Sequence, residues 1–136
     1  MTPPSFNKNK SFQVTIKGLH FDKQGRVLMV QERDGIWDLP GGRLEHGESF
    51  AETLKRECRE EMGIPCKVLD QEPRWSWSAR GRDGLWKVVL CFRIHFPHLR
   101  FKRTEECVAV KAMDAQEFKR SWVTAQTRPL GKRLKT

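Results

Sequence analysis

The stretch from Gly42 to Ile64, GRLEHGESFAETLKRECREEMGI, constrains the fold more than any other part of the chain. Ser49 followed three residues later by Glu52 is a capping box, and Gly63 with Pro65 behind it is a helix stop. The spacing predicts a helix over 49–62. Phe50, Leu54, Cys58 and Met62 recur every fourth residue and give it a core-facing stripe. Arg56, Glu57, Glu60 and Glu61 fall largely off that stripe, at spacings that stack side chains along one face. Carboxylates crowded in this way repel one another. A divalent cation relieves the repulsion, and hard cations such as Mg²⁺ prefer carboxylate oxygens. Most Glu runs are simply solvated helix faces. This one is framed by Pro40-Gly41-Gly42 before it and by the glycine stop after it.

The flanking segments read as strands. Phe12 to Leu19 alternates apolar and polar residues, a half-buried strand. Asp22 to Gly25 is a turn, and Arg26 to Gln31 is a second, more buried strand, so the two are expected to form a hairpin. Ile36 to Leu39 is a short extended piece stopped by Pro40 and the two glycines. After the helix, 67–69 and 75–78 are strand pieces interrupted at Pro73. Leu85 to Phe96 is the longest strand candidate, and 106–110 a further short one. Asp114 caps a short helix to Lys119, and Thr124 onward reads as a last helix. A helix set between hairpins predicts an α/β fold with a mixed sheet. Residues 1–10 are polar with two prolines and read as a poorly ordered N-terminus. Residues 11–136 read as a single domain, since 136 residues suffice for one core but not comfortably for two.

Composition excludes some classes. No apolar run is long enough to span a bilayer, and MTPPSFNKNK lacks the apolar centre of a secretory signal, so a cytoplasmic location without membrane contact is expected. Cys58, Cys66, Cys91 and Cys107 form no CxxC pair and no zinc-ribbon spacing, and are expected to be buried reduced thiols. A cluster of Cys91, His95 and His98 ranks below ordinary packing of the strand that carries the first two. Lys plus Arg total 26 against 17 Asp plus Glu, a net charge of +9. That excess suits a polyanionic partner, either nucleotide phosphates or RNA.

Gly42, Glu48, Arg56, Glu57, Glu60, Glu61 and Gly63 occupy the seven fixed positions of the signature box of the Nudix hydrolases, which the chain resembles. Chance agreement at seven positions is on the order of 10⁻⁸ per starting point from average residue usage. Cys58 departs from the bulky aliphatic residue usual at its position; cysteine packs as a small hydrophobe, so the change touches volume rather than chemistry. The resemblance implies a Nudix-type α/β/α sandwich with a mixed sheet, and hydrolysis of a nucleoside diphosphate linked to another group. It implies Mg²⁺, with Mn²⁺ as a substitute, held by Glu57, Glu60 and Glu61 with the Gly41 carbonyl. Arg56 is expected to fix Glu57 or Glu48 through its fork of donors. Gly42, Glu48 and Gly63 are expected to serve structure. The general base is expected to be Glu57, then Glu60, with Glu105 and Glu106 as candidates outside the box.

The box names a bond and leaves the substrate open. Trp37, Trp75, Trp77 and Trp86 could stack on a base, although Trp75 and Trp77 share one strand face and suit packing equally well. Arg80 and Arg82 are candidate substrate contacts. A (deoxy)nucleoside triphosphate, cleaved to monophosphate and pyrophosphate, is the favoured substrate. RNA 5′ ends, ADP-ribose, nucleotide sugars and dinucleoside polyphosphates are the alternatives, and a non-catalytic nucleotide or RNA sensor is the alternative of another class. Either a monomer or a homodimer is compatible with the chain.

Overall fold

The computed structural model describes residues 10–135. The expected poorly ordered N-terminus falls, apart from Lys10, outside the described residues. In chain order the elements are β1 (Phe12–Leu19), β2 (Val27–Gln31), β3 (Trp37–Asp38), β4 (Gly41–Arg43), α1 (Phe50–Met62), β5 (Lys67–Val68), β6 (Trp75–Arg80), β7 (Trp86–His95), β8 (Ala109–Met113) and α2 (Ala115–Arg120), with a short 3-10 helix at Arg128–Lys132.

The strands form two sheets. One runs β4–β1–β7, with β5 and β6 following each other along the far edge of β7; the other runs β3–β2–β8. β1 and β7 pair in parallel from Phe12↔Trp86 to Leu19↔Arg93, and the other pairings are antiparallel, so the architecture is mixed as expected. The expected hairpin exists only at its turn. Leu28 N–H donates to the His20 carbonyl at 2.9 Å and Phe21 bridges Val27, after which β1 and β2 part into different sheets. The reason lies in β1, which is central rather than half-buried. It takes β4 on one edge and β7 on the other, and its last five residues are all buried.

Alternation along the central strands feeds two cores. Ile16, Leu28, Val30, Phe92 and Ile94 face α1 through Leu54, Cys58 and Met62. Leu19, Val27, Met29, Val89 and Cys91 face the other way, toward Phe118 of α2 and Leu130. Layers of helix, strand and helix result, the α/β/α arrangement that the sequence predicts. Each fully buried side chain such as Leu54 contributes about 1.5–3 kcal/mol through removal from water. Phe50, the first member of the expected stripe, is 38% exposed and leans on Phe92 with ring centroids 5.4 Å apart. All four cysteines are free and buried. No described helix is long and apolar enough to cross a membrane.

The capping box is formed. Glu52 N–H donates to Ser49 Oγ at 3.1 Å, and Ser49 N–H to Glu52 Oε1 at 3.0 Å. Gly63 closes the helix in the left-handed region at φ 70°, which favours glycine. Ser49→Ala is expected to cost about 1 kcal/mol of unfolding free energy, readable by urea denaturation; an unchanged midpoint would show that the cap is redundant. Two other boundaries differ from the sequence reading. The strand expected at 106–110 begins at Ala109 because 104–107 forms a turn, with Cys107 N–H donating to Thr104 Oγ1. The expected last helix is only the 3-10 turn, in which Pro129 is tolerated in the first turn while Gly131 weakens any longer helix.

Candidate active site

Arg56 organises the acidic face of α1. Its Nε donates to Glu48 Oε2 at 2.7 Å and its Nη2 to Glu48 Oε1 at 3.0 Å, a two-pronged grip of one carboxylate. Its Nη1 reaches Glu57 Oε1 at 2.9 Å and Glu60 Oε2 at 3.3 Å. Glu48 also accepts from the Thr53 hydroxyl. Hydrogen bonds from Arg56 outweigh the cost of desolvation and hold the Glu48 carboxyl down at about 2, against an ordinary value of 4.5. A depressed carboxyl stabilises the fold above its ordinary value, and that stability is lost as pH falls toward 2. The unfolding temperature is therefore expected to drop more steeply between pH 4.5 and 2 in the native protein than in Glu48→Gln. Parallel curves would remove Glu48 from the acid-sensitive set.

One helical turn further in, the carboxylates converge. Glu57, Glu61 and Glu106 place oxygens within 4.8 Å of one another. Thr104 explains how Glu106 arrives there. Its hydroxyl donates to the Glu61 carbonyl at 2.7 Å, and Lys102 N–H donates to the Met62 carbonyl, tying the segment before β8 to the end of α1. Glu105 turns aside to an exposed ion pair with Arg33 at 3.1 Å, and Glu60, 56% exposed at its side chain, lies outside the cluster. Gly42 leaves room for the arrangement: a Cβ there would lie 2.5 Å from Glu57 Cδ. Gly41 sits at φ 128°, where a Cβ would meet the Ile16 carbonyl oxygen at 2.1 Å.

A buried lysine that the sequence reading passed over stands behind this cluster. Lys17, 4% exposed, donates to Asp38 Oδ2 at 3.3 Å and to the carbonyls of Leu39 and Gly41 at 3.1 and 3.2 Å. Burial works against its charge, but Asp38 and Glu61 more than offset it, so its pKa is raised. Asp38 is further held by Thr127, by Gln126 and by the Leu39 amide. The Gly41 N–H donates to Glu61 Oε1 at 3.1 Å. Desolvation nevertheless pushes the carboxyl of Glu61, 7% exposed, well above its ordinary range.

A cleft of about 810 Å³ opens over these groups, lined among others by Glu57, Glu61, Glu106, Lys17 and Gly42. The residues present fit a divalent cation. Three carboxylates converge, one of them deeply buried, and the neighbouring ammonium of Lys17 is already committed to Asp38 and two carbonyls. Cys91, His95 and His98 form no such group among the described residues.

Arg82 reaches the same cleft and pairs with Asp34 at 2.9 Å. The other candidate substrate contacts do not line it. Trp75 packs edge-on against Phe21, Trp77 donates through Nε1 to the Gln126 carbonyl under Arg133, and Arg80 caps its own turn at Gly84. Trp37 packs into the second core, and Trp86 lies beside Phe12.

A fold of this kind, with a carboxylate cradle on the second half of one helix closed by Glu106 from the segment before β8, defines a class. The chain belongs to the Nudix family: the NUDIX domain profile matches residues 11–134. It is 45% identical over 128 residues to nucleoside diphosphate-linked moiety X motif 6 of Mus musculus, covering 90% of this chain and 40% of that protein. It is 41% identical over 83 residues to the 8-oxo-dGDP phosphatase NUDT18 of Danio rerio, covering 54% of this chain and 25% of that protein. The chain thus spans between a quarter and two fifths of the length of these curated relatives. The crystal structure of a MutT protein from Methanosarcina mazei Go1 superposes with a TM-score of 0.75 at 20% identity, covering 95% of both chains, which shows the shared fold.

Proposed function

We propose that the chain hydrolyses the pyrophosphate bond of a nucleoside diphosphate linked to a further group, with a (deoxy)nucleoside triphosphate as the favoured substrate. The observation that carries this reading is the convergence of Glu57, Glu61 and Glu106 on a cleft beside the Arg56 clamp. These three carboxylates would hold Mg²⁺, which supplies charge neutralisation for the phosphates and orientation for the attacking water. Glu57 is the favoured general base. Held at one oxygen by Arg56, it is oriented to take a proton from the water as that water adds to phosphorus. The bridging oxygen then leaves with the pyrophosphate, and the nucleoside monophosphate remains. Arg56 positions Glu57 and Glu48 rather than touching substrate. Lys17 fixes the Leu39–Gly41 turn on which Glu61 leans. Glu60 and Glu105 are exposed and stand outside the carboxylate cluster, and so rank below Glu57 as bases.

The name of the Danio rerio relative, an 8-oxo-dGDP phosphatase, supports a nucleoside di- or triphosphate over a nucleotide sugar or a dinucleotide. The test is release of phosphate or pyrophosphate from a panel of nucleoside di- and triphosphates, ADP-ribose and 5′-triphosphate RNA, with Mg²⁺ and with excess chelator. Turnover on the mononucleotides, abolished by chelator, is expected. No turnover on any member of the panel would overturn the reading and favour a nucleotide sensor.

A further inference from the structure

The wall of the cleft built from the end of β2, β3 and residues 122–127 carries polar groups that the phosphate chemistry leaves unused. Thr124 lines the cleft at 6% exposure, and its Oγ1 finds no hydrogen-bond partner among the described residues. A buried hydroxyl left in this state is costly. Its backbone is fixed, since Thr124 N–H donates to the Trp37 carbonyl at 3.0 Å. Glu32, half-buried at the end of β2, lines the same cleft. Asp34, Asp38, Asp83 and Glu105 in that lining are each paired with a lysine or arginine. Outside the acidic cluster, Glu32 is the one lining carboxylate that no described donor reaches, and burial with the nearby Asp38 charge pushes its carboxyl up. Gln126 gives its Nε2 to Asp38 at 3.1 Å, which leaves its Oε1 as an acceptor.

We propose that Glu32 and Thr124, with Gln126 beside them, form the nucleobase subsite of this cleft and select a 2-amino-6-oxopurine. A carboxylate with both oxygens free matches two parallel N–H donors. Among the common bases, only the guanine type presents a ring N–H and an amino group side by side, with a carbonyl next to them. That carbonyl accepts a hydrogen bond from the Thr124 hydroxyl, and the orphaned group is satisfied. Adenine and cytosine turn an amino group and a ring acceptor to the same wall, and hypoxanthine lacks the amino group. The inference rests on the proposed function, because a cluster that grips the phosphates is what turns the base toward this wall.

The experiment measures calorimetric binding of guanosine and inosine monophosphates, with Mg²⁺ present, to the native protein and to Glu32→Gln, Thr124→Val and Thr124→Ser. These ligands are products on the proposed reaction, so no turnover is needed. The native protein is expected to prefer guanosine monophosphate by about 10- to 100-fold, the range of one good bidentate contact. Glu32→Gln collapses that ratio toward one. Thr124→Val weakens both ligands together, and Thr124→Ser restores them. Equal affinity of the native protein for both, no binding of either, or an unchanged ratio in Glu32→Gln overturns the subsite. Selective binding without hydrolysis of any di- or triphosphate overturns the pyrophosphohydrolase reading and leaves the subsite standing, while turnover without base selection does the reverse.

Discussion

Glu57→Gln is expected to abolish Mg²⁺-dependent turnover while leaving the fold intact. The two side chains have the same shape, so the substituted amide keeps an oxygen for the Arg56 Nη1 donor that now reaches Oε1 at 2.9 Å. It also keeps the close approach to Gly42, where no Cβ intrudes. What disappears is one negative charge from a group of three crowded carboxylates. In the absence of metal that change relieves repulsion, so the unfolding temperature should hold or rise. Activity should fall by at least about 10²–10⁴-fold, the usual cost of removing a general base, with a further loss if a cation ligand goes with it. Glu60→Gln is the discriminating partner, because Glu60 is exposed, lies outside the cluster and, among the described residues, pairs through its carboxylate with Arg56 alone. Its loss should be smaller by at least one order of magnitude. Turnover assayed across a Mg²⁺ titration, with thermal unfolding on the same samples, reads both predictions. Near-native turnover in Glu57→Gln would remove it as base and ligand together.

Glu60 and Glu106 mark the boundary between what is local in the sequence and what is set by packing. The helix, its cap, its stop and its acidic face are local features, fixed by spacings within one segment, and these were legible. Which carboxylates converge depends on what packs against the helix end. Glu106 enters through Thr104 gripping the Glu61 carbonyl, a contact across 43 residues that no local pattern encodes. Lys17 was hidden for a different reason. In a strand read as half-buried, a lysine opposite the apolar positions belongs in water. β1 is flanked on both edges and covered on both faces, a placement set by the parallel pairing with β7 far along the chain. One signal was available: Ile16, Leu19 and the intervening Gly18 leave little polar character around Lys17, and a charge in such a strand needs a partner. For Trp75 and Trp77 the sequence left stacking on a base and packing equally open, and the structure has both packed. The packing of Trp77 depends on the segment after α2, whose Gln126 carbonyl takes its N–H.

Lys17→Met tests whether that buried ammonium holds the site together. Methionine approximates the length and volume of lysine and can fill the space without a void. It cannot donate to Leu39 and Gly41, whose carbonyls lose the donor that secures the turn into β4. Asp38 retains Thr127, Gln126 and the Leu39 amide, but loses its counter-charge in a buried setting. Glu61 loses the cation that partly offsets its desolvation. Removing one member of a buried ion pair typically costs about 3–5 kcal/mol, because the other charge stays behind unpaired. A loss of that size should appear in urea denaturation, and the double variant Lys17→Met with Asp38→Asn should lose less than the two single changes added together. The acidic cluster, stripped of its neighbouring positive charge, should then depend more on a cation. Mg²⁺ is expected to raise the unfolding temperature of Lys17→Met by more than it raises that of the native protein, since a ligand that binds only the folded state stabilises it. A stability loss under about 1 kcal/mol, far below the range for a broken buried pair, together with equal Mg²⁺ shifts in both proteins, would mean that the turn and the carboxylates are held by the backbone alone. In that case Lys17 would be a tolerated charge rather than the tie between the central strand and the cleft.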